Sequence, residues 1–457
     1  MRSGPALAMI LVSAAATATG VGAEIALDKD GLRKAAVAAL RTSFSEELIS
    51  LETLDDARTA EAVLAAIGDR RVSEWMRFQA AAAIAKWPAA SAGRTALVRF
   101  LEQNPQLDDA RLRFYSYLGL PESERFFKTL IVQNTGKNMA DIKEPVRCAL
   151  AIRALARLPN QNDQAVMKIA SFLDRSAPHM VRCSAAHALA AWPSRAALPP
   201  LISMVRDYAI GDVAIRSLFR LTGEDFGEHE AQWNEWLKSD GATVPLKMLS
   251  RDEVSRHFAA VTAANGAADP SRVTFYGFPL KTRNCVFVLD RSSSMRGARI
   301  EMLKTQMANL LASMKSQPSE RRFGIVIFGS RVDSCAPGAG LITNDEAGFR
   351  KASRFMDELE AEGQTHMAEA LEHVRERILP SGNVDTIVLL SDGIPSDATS
   401  AEVLALAYRL YSDYRVRFHT FDLGASTGPA APSPDRKPRM LEVIATQSGG
   451  SCIVPQR

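Results

Sequence analysis

Asn284-Cys-Val-Phe-Val-Leu-Asp290-Arg-Ser292-Ser-Ser294-Met295 carries the fold assignment of this chain. Its first part, 285–289, is an uninterrupted apolar run, as expected of a parallel strand buried on both faces. It ends abruptly in an acid followed by hydroxyls. Downstream, strands and helices alternate. Segments 323–328, 386–390, 416–421 and 451–454 read as strands, with a short antiparallel edge at 333–342. Segments 299–314, 345–360, 367–379, 400–414 and 439–447 read as helices. Such alternation implies a doubly wound sheet with its site at the carboxyl ends of the strands. Three loops lie there: 290–295, Gly363-Gln-Thr365-His-Met367 opening a helix, and Ser391-Asp392-Gly393 after the central strand. Asp290 and Asp392 bring carboxylates to this rim, and Ser292, Ser294 and Thr365 bring hydroxyls. An all-oxygen set suits a hard divalent cation, Mg²⁺ above all, with Mn²⁺ or Ca²⁺ as alternatives.

Residues 284–457 resemble a von Willebrand factor type A domain, and the three loops are similar to its metal-ion-dependent adhesion site. The resemblance implies that Ser292 and Ser294 bind the metal through their hydroxyls and that Thr365 adds a third. It implies that Asp290 and Asp392 bind directly or through water. Two positions depart from the family pattern: Ser293 stands where glycine is usual, and Gly363-Gln364-Thr365 replaces the commoner Gly-Gly-Thr. Neither departure removes a ligand. An isolated Asp-x-Ser-x-Ser would be a weak signal, because serine-rich turns are common. Here all three loops occur in order on the expected elements.

Upstream, the pattern is alanine-rich, helical and repetitive. Related phrases run from Arg77 to Pro88, Arg147 to Pro159 and Arg182 to Pro193, with a weaker copy from Arg111 to Pro121. The arginines are 34, 36 and 35 residues apart and the prolines 33, 38 and 34. Each proline lacks an N–H and ends its helix. One helix pair cannot bury its apolar face alone, so pairs stack. The Val-Arg-x-x-Ala-x-x-Ala-Leu pattern at 181–189 resembles HEAT-type repeats. Phe226, Trp233 and Trp236 read as a seal on the open end of the stack or as a ligand-binding aromatic cluster. The expected architecture is α + α/β: an N-terminal HEAT-like α-solenoid at 24–240, a linker with a lead-in strand at 241–283, and a doubly wound, Rossmann-like type A domain at 284–457.

Composition limits the function classes. The 457 residues are 47% hydrophobic and 23% charged, as in globular proteins. A net charge of +3 is too small for a chain built to neutralise many phosphates, which speaks against a nucleic-acid partner. Five cysteines cannot form a disulfide framework. Residues 1–23 read as a signal peptide: Arg2, an apolar core from Ala6 to Val12, and the small residues Val21-Gly22-Ala23 before a cut at Glu24. No later segment is a long apolar run, so no membrane span is expected after cleavage. The protein is expected in the periplasm or outside the cell.

The site itself reads as one for ligand capture. The resemblance implies that a Glu or Asp carboxylate of a partner protein completes the octahedron of the bound cation. Arg291 and Arg296 flank the first loop, either as solvated charges or as steering groups for an acidic partner. The competing enzymatic reading makes His366 a general base in a metal-assisted hydrolase. Neighbours on a helix N-terminus point in different directions, however, and no nucleophile elbow, Cys/His pair or phosphate loop accompanies it. A third reading is a purely architectural envelope protein. The expected function is thus an exported, non-enzymatic interaction or adhesion protein, resembling bacterial envelope proteins that pair HEAT-like repeats with a type A domain.

Overall fold

In a computed structural model, the structure describes residues 28–455 except 42–45, 70, 137, 159–161, 208, 240, 242, 265–272, 281, 283, 316–320, 337, 339 and 425–438. The expected signal peptide at 1–23 and the Pro-rich residues 425–438 lie outside the described residues.

The alanine-rich phrases fold as helices. In chain order the N-terminal part contains α1 (Lys29–Ala39), α2 (Ala57–Ile67), α3 (Glu74–Ile84), α4 (Ala92–Gln103), α5 (Asp109–Leu118), α6 (Glu124–Asn134) and α7 (Pro145–Ala156). It continues with α8 (Asp163–Ala170), α9 (His179–Ala191), α10 (Leu198–Ile202), α11 (Gly211–Thr222), α12 (Glu230–Lys238) and α13 (Arg251–Ala264). Side-chain caps fix several starts: the Ser73 hydroxyl accepts from Met76 N–H, and the Asp108 carboxylate from Arg111 N–H. Helices α3, α5, α7, α9 and α11 pack in succession, while α6, α8 and α10 each pack against the helix that follows. That order is consistent with helical repeats.

The periodic arginines have a shared physical role. Arg77, Arg111, Arg147 and Arg182 lie in the first turns of α3, α5, α7 and α9. Each donates to a main-chain carbonyl: Ile67 (3.1 Å), Leu64 (3.0 Å), Leu107 (3.0 Å) and Leu173 (3.2 Å), respectively. Ile67 and Leu64 belong to the last turn of α2, where carbonyls lack intrahelical partners. At the far end, Trp233 is fully buried, with Phe226 edge-on at 4.9 Å and Trp236 edge-on at 6.0 Å. Helix α12, which carries both tryptophans, packs against α10.

The C-terminal part contains β1 (Thr274–Phe275), β2 (Phe278–Pro279), β3 (Asn284–Asp290), α14 (Ala298–Met314), β4 (Arg322–Phe328), β5 (Val332–Ser334), β6 (Ile342–Thr343) and α15 (Glu346–Asp357). Then follow α16 (Met367–His373), α17 (Leu379–Gly382), β7 (Thr386–Ser391), α18 (Ser400–Tyr414), β8 (Arg417–Asp422), α19 (Met440–Ser448) and β9 (Cys452–Ile453). Strands run in the order β5-β4-β3-β7-β8-β9, with β6 also on β4. The pairs from β4 through β9 are parallel; β5 and β6 are antiparallel edges. Strand period two sorts β3 between two cores. Cys285, Phe287 and Leu289 face α14 and α15, while Val286 and Val288 face α16, α18 and α19. All five cysteines are free thiols, four of them buried.

Two expectations need correction. The lead-in segment does not join the main sheet. It closes on itself as the hairpin β1–β2, because Tyr276 and Gly277 both take positive φ (49° and 74°), as a tight two-residue turn requires. The hairpin is held by Phe275, whose ring packs on Phe287 (5.5 Å) and Phe421 (5.0 Å). The expected helix 367–379 is interrupted by a π-turn at Val374–Ile378 ahead of Pro380, whose missing N–H cannot continue an α-helical ladder.

The two parts are joined by a buried polar contact. Helix α18 packs against α3, α7 and α9. Arg113 of α5 grips Asp413 near the end of α18 through two parallel hydrogen bonds, Nε to Oδ1 (2.9 Å) and Nη2 to Oδ2 (2.6 Å). Both side chains are about 95% buried, at 5% and 4% exposure. The Tyr117 hydroxyl donates to Glu74 (2.8 Å) and meets the Ser412 hydroxyl (3.0 Å); Arg153 donates to the Ser412 carbonyl. Burial pushes the Glu74 carboxyl above its usual range, and the nearby Arg113 charge opposes this. Asn383, just before β7, accepts from His179 N–H (2.6 Å), and Arg417, opening β8, pairs with Asp212 (2.9 Å). All these contacts lie at the amino ends of the strands, opposite the rim where the three loops gather. Arg113→Ala should cost the full chain about 3 kcal/mol in urea unfolding, because Asp413 loses its bidentate partner while buried. The double variant Arg113→Met/Asp413→Leu, which removes both charges, should recover most of that loss. A single-variant cost within about 1 kcal/mol, the range of an exposed pair, would show that the joint does not depend on this contact.

Candidate metal centre

Strand β3 delivers Asp290 to the rim with no exposed surface. Its Oδ1 accepts the Ser292 N–H (2.7 Å), and its Oδ2 accepts the hydroxyl of Ser391, the last residue of β7. The carboxylate is therefore locked between the ends of two central strands. Burial pushes the Asp290 carboxyl upward; the Ser391 and Ser292 bonds oppose this, and the charge of Asp392 adds to it.

From Ser292 the chain makes one tight turn over 293–295. The turn sets the Ser292 and Ser294 hydroxyl oxygens 3.0 Å apart, and Ser294 Oγ donates to Asp392 Oδ1 (2.7 Å). Arg299 of α14 donates to the other Asp392 oxygen and to the Ser294 carbonyl (3.0 Å). The second loop is stitched to the first: Glu362 N–H donates to the Arg291 carbonyl (2.7 Å) and Ser293 N–H to the Gly363 carbonyl (3.0 Å). Gly363 has φ +80°, and a Cβ there would stand 2.6 Å from the Ser330 backbone nitrogen, so this approach requires glycine. Thr365 is buried and exchanges hydrogen bonds with Ser396: its N–H donates to Ser396 Oγ (2.9 Å) and its carbonyl accepts Ser396 N–H (2.9 Å). Its hydroxyl lies 3.5 Å from where a Cβ on Gly393 would stand, which places it against the third loop.

The five expected residues thus come to one rim: Asp290, Ser292, Ser294 and Asp392 through contiguous hydrogen bonds, and Thr365 from the second loop. Among the described residues, no three His, Cys, Asp or Glu side chains group to hold a metal. Two carboxylates and neutral hydroxyls are the donors, a hard-oxygen set. Adjacent oxygens of a Mg²⁺ octahedron with bonds of 2.0–2.1 Å lie about 2.9 Å apart. The Ser292–Ser294 and Ser294–Asp392 separations of 3.0 and 2.7 Å bracket that value, so the residues present fit such an ion.

Other expectations fare differently. Arg291 is not a solvated flanking charge: it is buried and pairs with Asp333 (2.8 Å) and Glu362 (3.4 Å). His366 is tied to Glu369 (3.1 Å), away from the hydroxyl cluster. Sequence reasoning missed Ser391, Arg299 and Asp397, the last of which accepts the Ala368 and Glu369 N–H groups opening α16. For Ser391 the adjacent Asp392-Gly393 was the available signal; nothing local marked Arg299.

Residues 283–452 match the family model of the von Willebrand factor type A domain. Inter-alpha-trypsin inhibitor heavy chain H1 from Homo sapiens is 29% identical over 150 residues, 31% of this chain and 16% of that protein. Heavy chain H4 from Sus scrofa is 30% identical over 122 residues, 25% of this chain and 12% of that protein. The chain therefore spans 16% or less of the length of these relatives. Among solved structures, a von Willebrand factor type A protein from Catenulispora acidiphila aligns at 20% identity over 38% of this chain and 39% of that one, with a TM-score of 0.31. An aerotolerance-related membrane protein from Bacteroides fragilis aligns at 20% identity over 37% of this chain and 90% of that one, with a TM-score of 0.28. Type A domains are in general interaction modules rather than enzymes. With its parallel sheet, three stitched loops and this family match, the C-terminal part of the chain is a von Willebrand factor type A domain.

Proposed function

We propose that this chain is an exported, non-enzymatic interaction protein whose type A domain binds a divalent cation, Mg²⁺ foremost, through Asp290, Ser292, Ser294, Thr365 and Asp392. The observation that supports it is the run of contiguous oxygens from Ser292 through Ser294 to Asp392, spaced as an octahedral ion needs. When bound, the cation supplies an electrophilic position for a carboxylate of a partner protein. The chain's own residues prepare that position. Asp290 is held rigid by Ser391, the turn at 293–295 aligns two neutral hydroxyls, and main-chain bonds between Glu362 and Arg291 and between Ser293 and Gly363 close the second loop on the first. Neutral donors leave much of an ion's charge uncompensated, which favours an added anionic ligand. The joint to the helical part lies at the opposite end of the sheet, so among the described residues the helices do not cover this rim. Ile394 stands beside it, 79% exposed.

Calorimetric titration of the full chain with Mg²⁺ and Mn²⁺ tests the site. Asp290→Ala should weaken binding by more than about 100-fold, beyond the effect of losing an outer-shell partner. Ser292→Ala, which removes one neutral ligand, should weaken it by only about tenfold. Equal affinity in wild type and Asp290→Ala would place the site elsewhere. A partner captured in Mg²⁺ should be released by chelator and should fail to bind Asp290→Ala. Metal binding with no metal-dependent partner would favour the architectural reading.

Export rests on the sequence of 1–23. Among the described residues no helix is long and apolar enough to cross a membrane. N-terminal sequencing of the exported protein should begin at Glu24; recovery of Met1 would overturn cleavage.

A further inference from the structure

Arg299 occupies a position that the helix carrying it does not explain. It is the second residue of α14, where the helix macrodipole disfavours a basic side chain. Its guanidinium turns back over the rim and donates from one nitrogen to both Asp392 Oδ2 and the Ser294 carbonyl. The Asp392 side chain has no exposed surface, whereas that of Arg299 is 36% exposed. Asp392 Oδ1 is already engaged by the Ser294 hydroxyl, so the guanidinium and that hydroxyl together take both carboxylate oxygens. A buried carboxylate without a cationic partner is costly, and Arg299 supplies that partner from a side chain with a solvent-facing path.

We propose that Arg299 is a tethered counter-ion: it neutralises Asp392 while the site holds no divalent cation and gives way when one binds. Arg299 therefore competes with the metal and sets its affinity. This rests on the metal-site reading above and extends it to regulation of that site. The guanidinium and the ion share one carboxylate, so removing the guanidinium acts in opposite directions on two measurable quantities. It tightens metal binding and destabilises the metal-free chain.

The test uses the full chain, with Mg²⁺ alone as the probe. Arg299→Gln should bind Mg²⁺ about tenfold more tightly by calorimetry, equivalent to about 1.4 kcal/mol, and should unfold at a lower temperature than wild type in chelator. Arg299→Lys keeps the charge on a shorter, single-point donor, should fold in chelator, and should give an intermediate affinity. Arg296→Gln removes an exposed charge of the same sign from the loop just before α14 and should leave the affinity within about twofold, because long-range repulsion is screened by solvent and salt. Weaker Mg²⁺ binding by Arg299→Gln would overturn the inference and make Arg299 a positioning residue for Asp392. Equal tightening by Arg296→Gln would overturn it in favour of general repulsion. Unchanged stability in chelator would overturn the counter-ion role. Absence of binding heat in wild type and all variants would overturn the metal-site reading, and the inference with it.

Discussion

The bond from the Ser391 hydroxyl to the buried Asp290 carboxylate ties together the ends of β3 and β7, the two central strands. A carboxylate at the end of an all-buried strand is costly unless every lone pair finds a donor. The rim is organised around that demand. The Ser292 N–H turns inward to meet Asp290, which starts the tight turn, which in turn sets two serine hydroxyls side by side. The second loop is stitched to the first by main-chain bonds, Glu362 N–H to the Arg291 carbonyl and Ser293 N–H to the Gly363 carbonyl, and Gly363 lets it pass close to Ser330. The cluster of oxygens at the rim, where we propose a cation binds, is thus the remainder of a hydrogen-bond problem that the strand ends impose.

A second buried charge cluster governs how the two parts of the chain fit together. Asp413 lies at the end of α18 far from the metal rim, and the Arg113 fork is its main counter-charge. Glu74, Tyr117 and Ser412 complete the network. A buried pair of this kind contributes more to the geometry of the joint than to net stability. It orients the sheet so that its amino ends meet the helices and its carboxyl ends face away. Capture of a ligand at the loops therefore does not compete with the contact between the two parts.

Both clusters use arginine to neutralise a fully buried aspartate, with different exposure on the cationic side. Arg113 is enclosed and holds a permanent pair, whereas Arg299 borders solvent and can leave. This difference separates a structural ion pair from one that can yield to a stronger cation.

Much was legible in the sequence because it is local. The apolar run at 285–289, the alternation of strands and helices, the three loops with their five oxygen-bearing side chains and the arginine period all follow from residue type and spacing. Hairpin closure at Tyr276-Gly277 and the π-turn ahead of Pro380 depend on backbone dihedrals that composition only hints at. The partners of the charges were not legible. Arg113 and Asp413 are 300 residues apart, Arg299 and Asp392 are 93 apart, and Arg291 turned inward to Asp333 rather than to solvent. Sequence by itself determined which oxygen-bearing side chains end the strands and which elements carry them. Only the tertiary structure decided which charge neutralises which, because burial and through-space distance, not spacing along the chain, set the cost of leaving a charge unpaired.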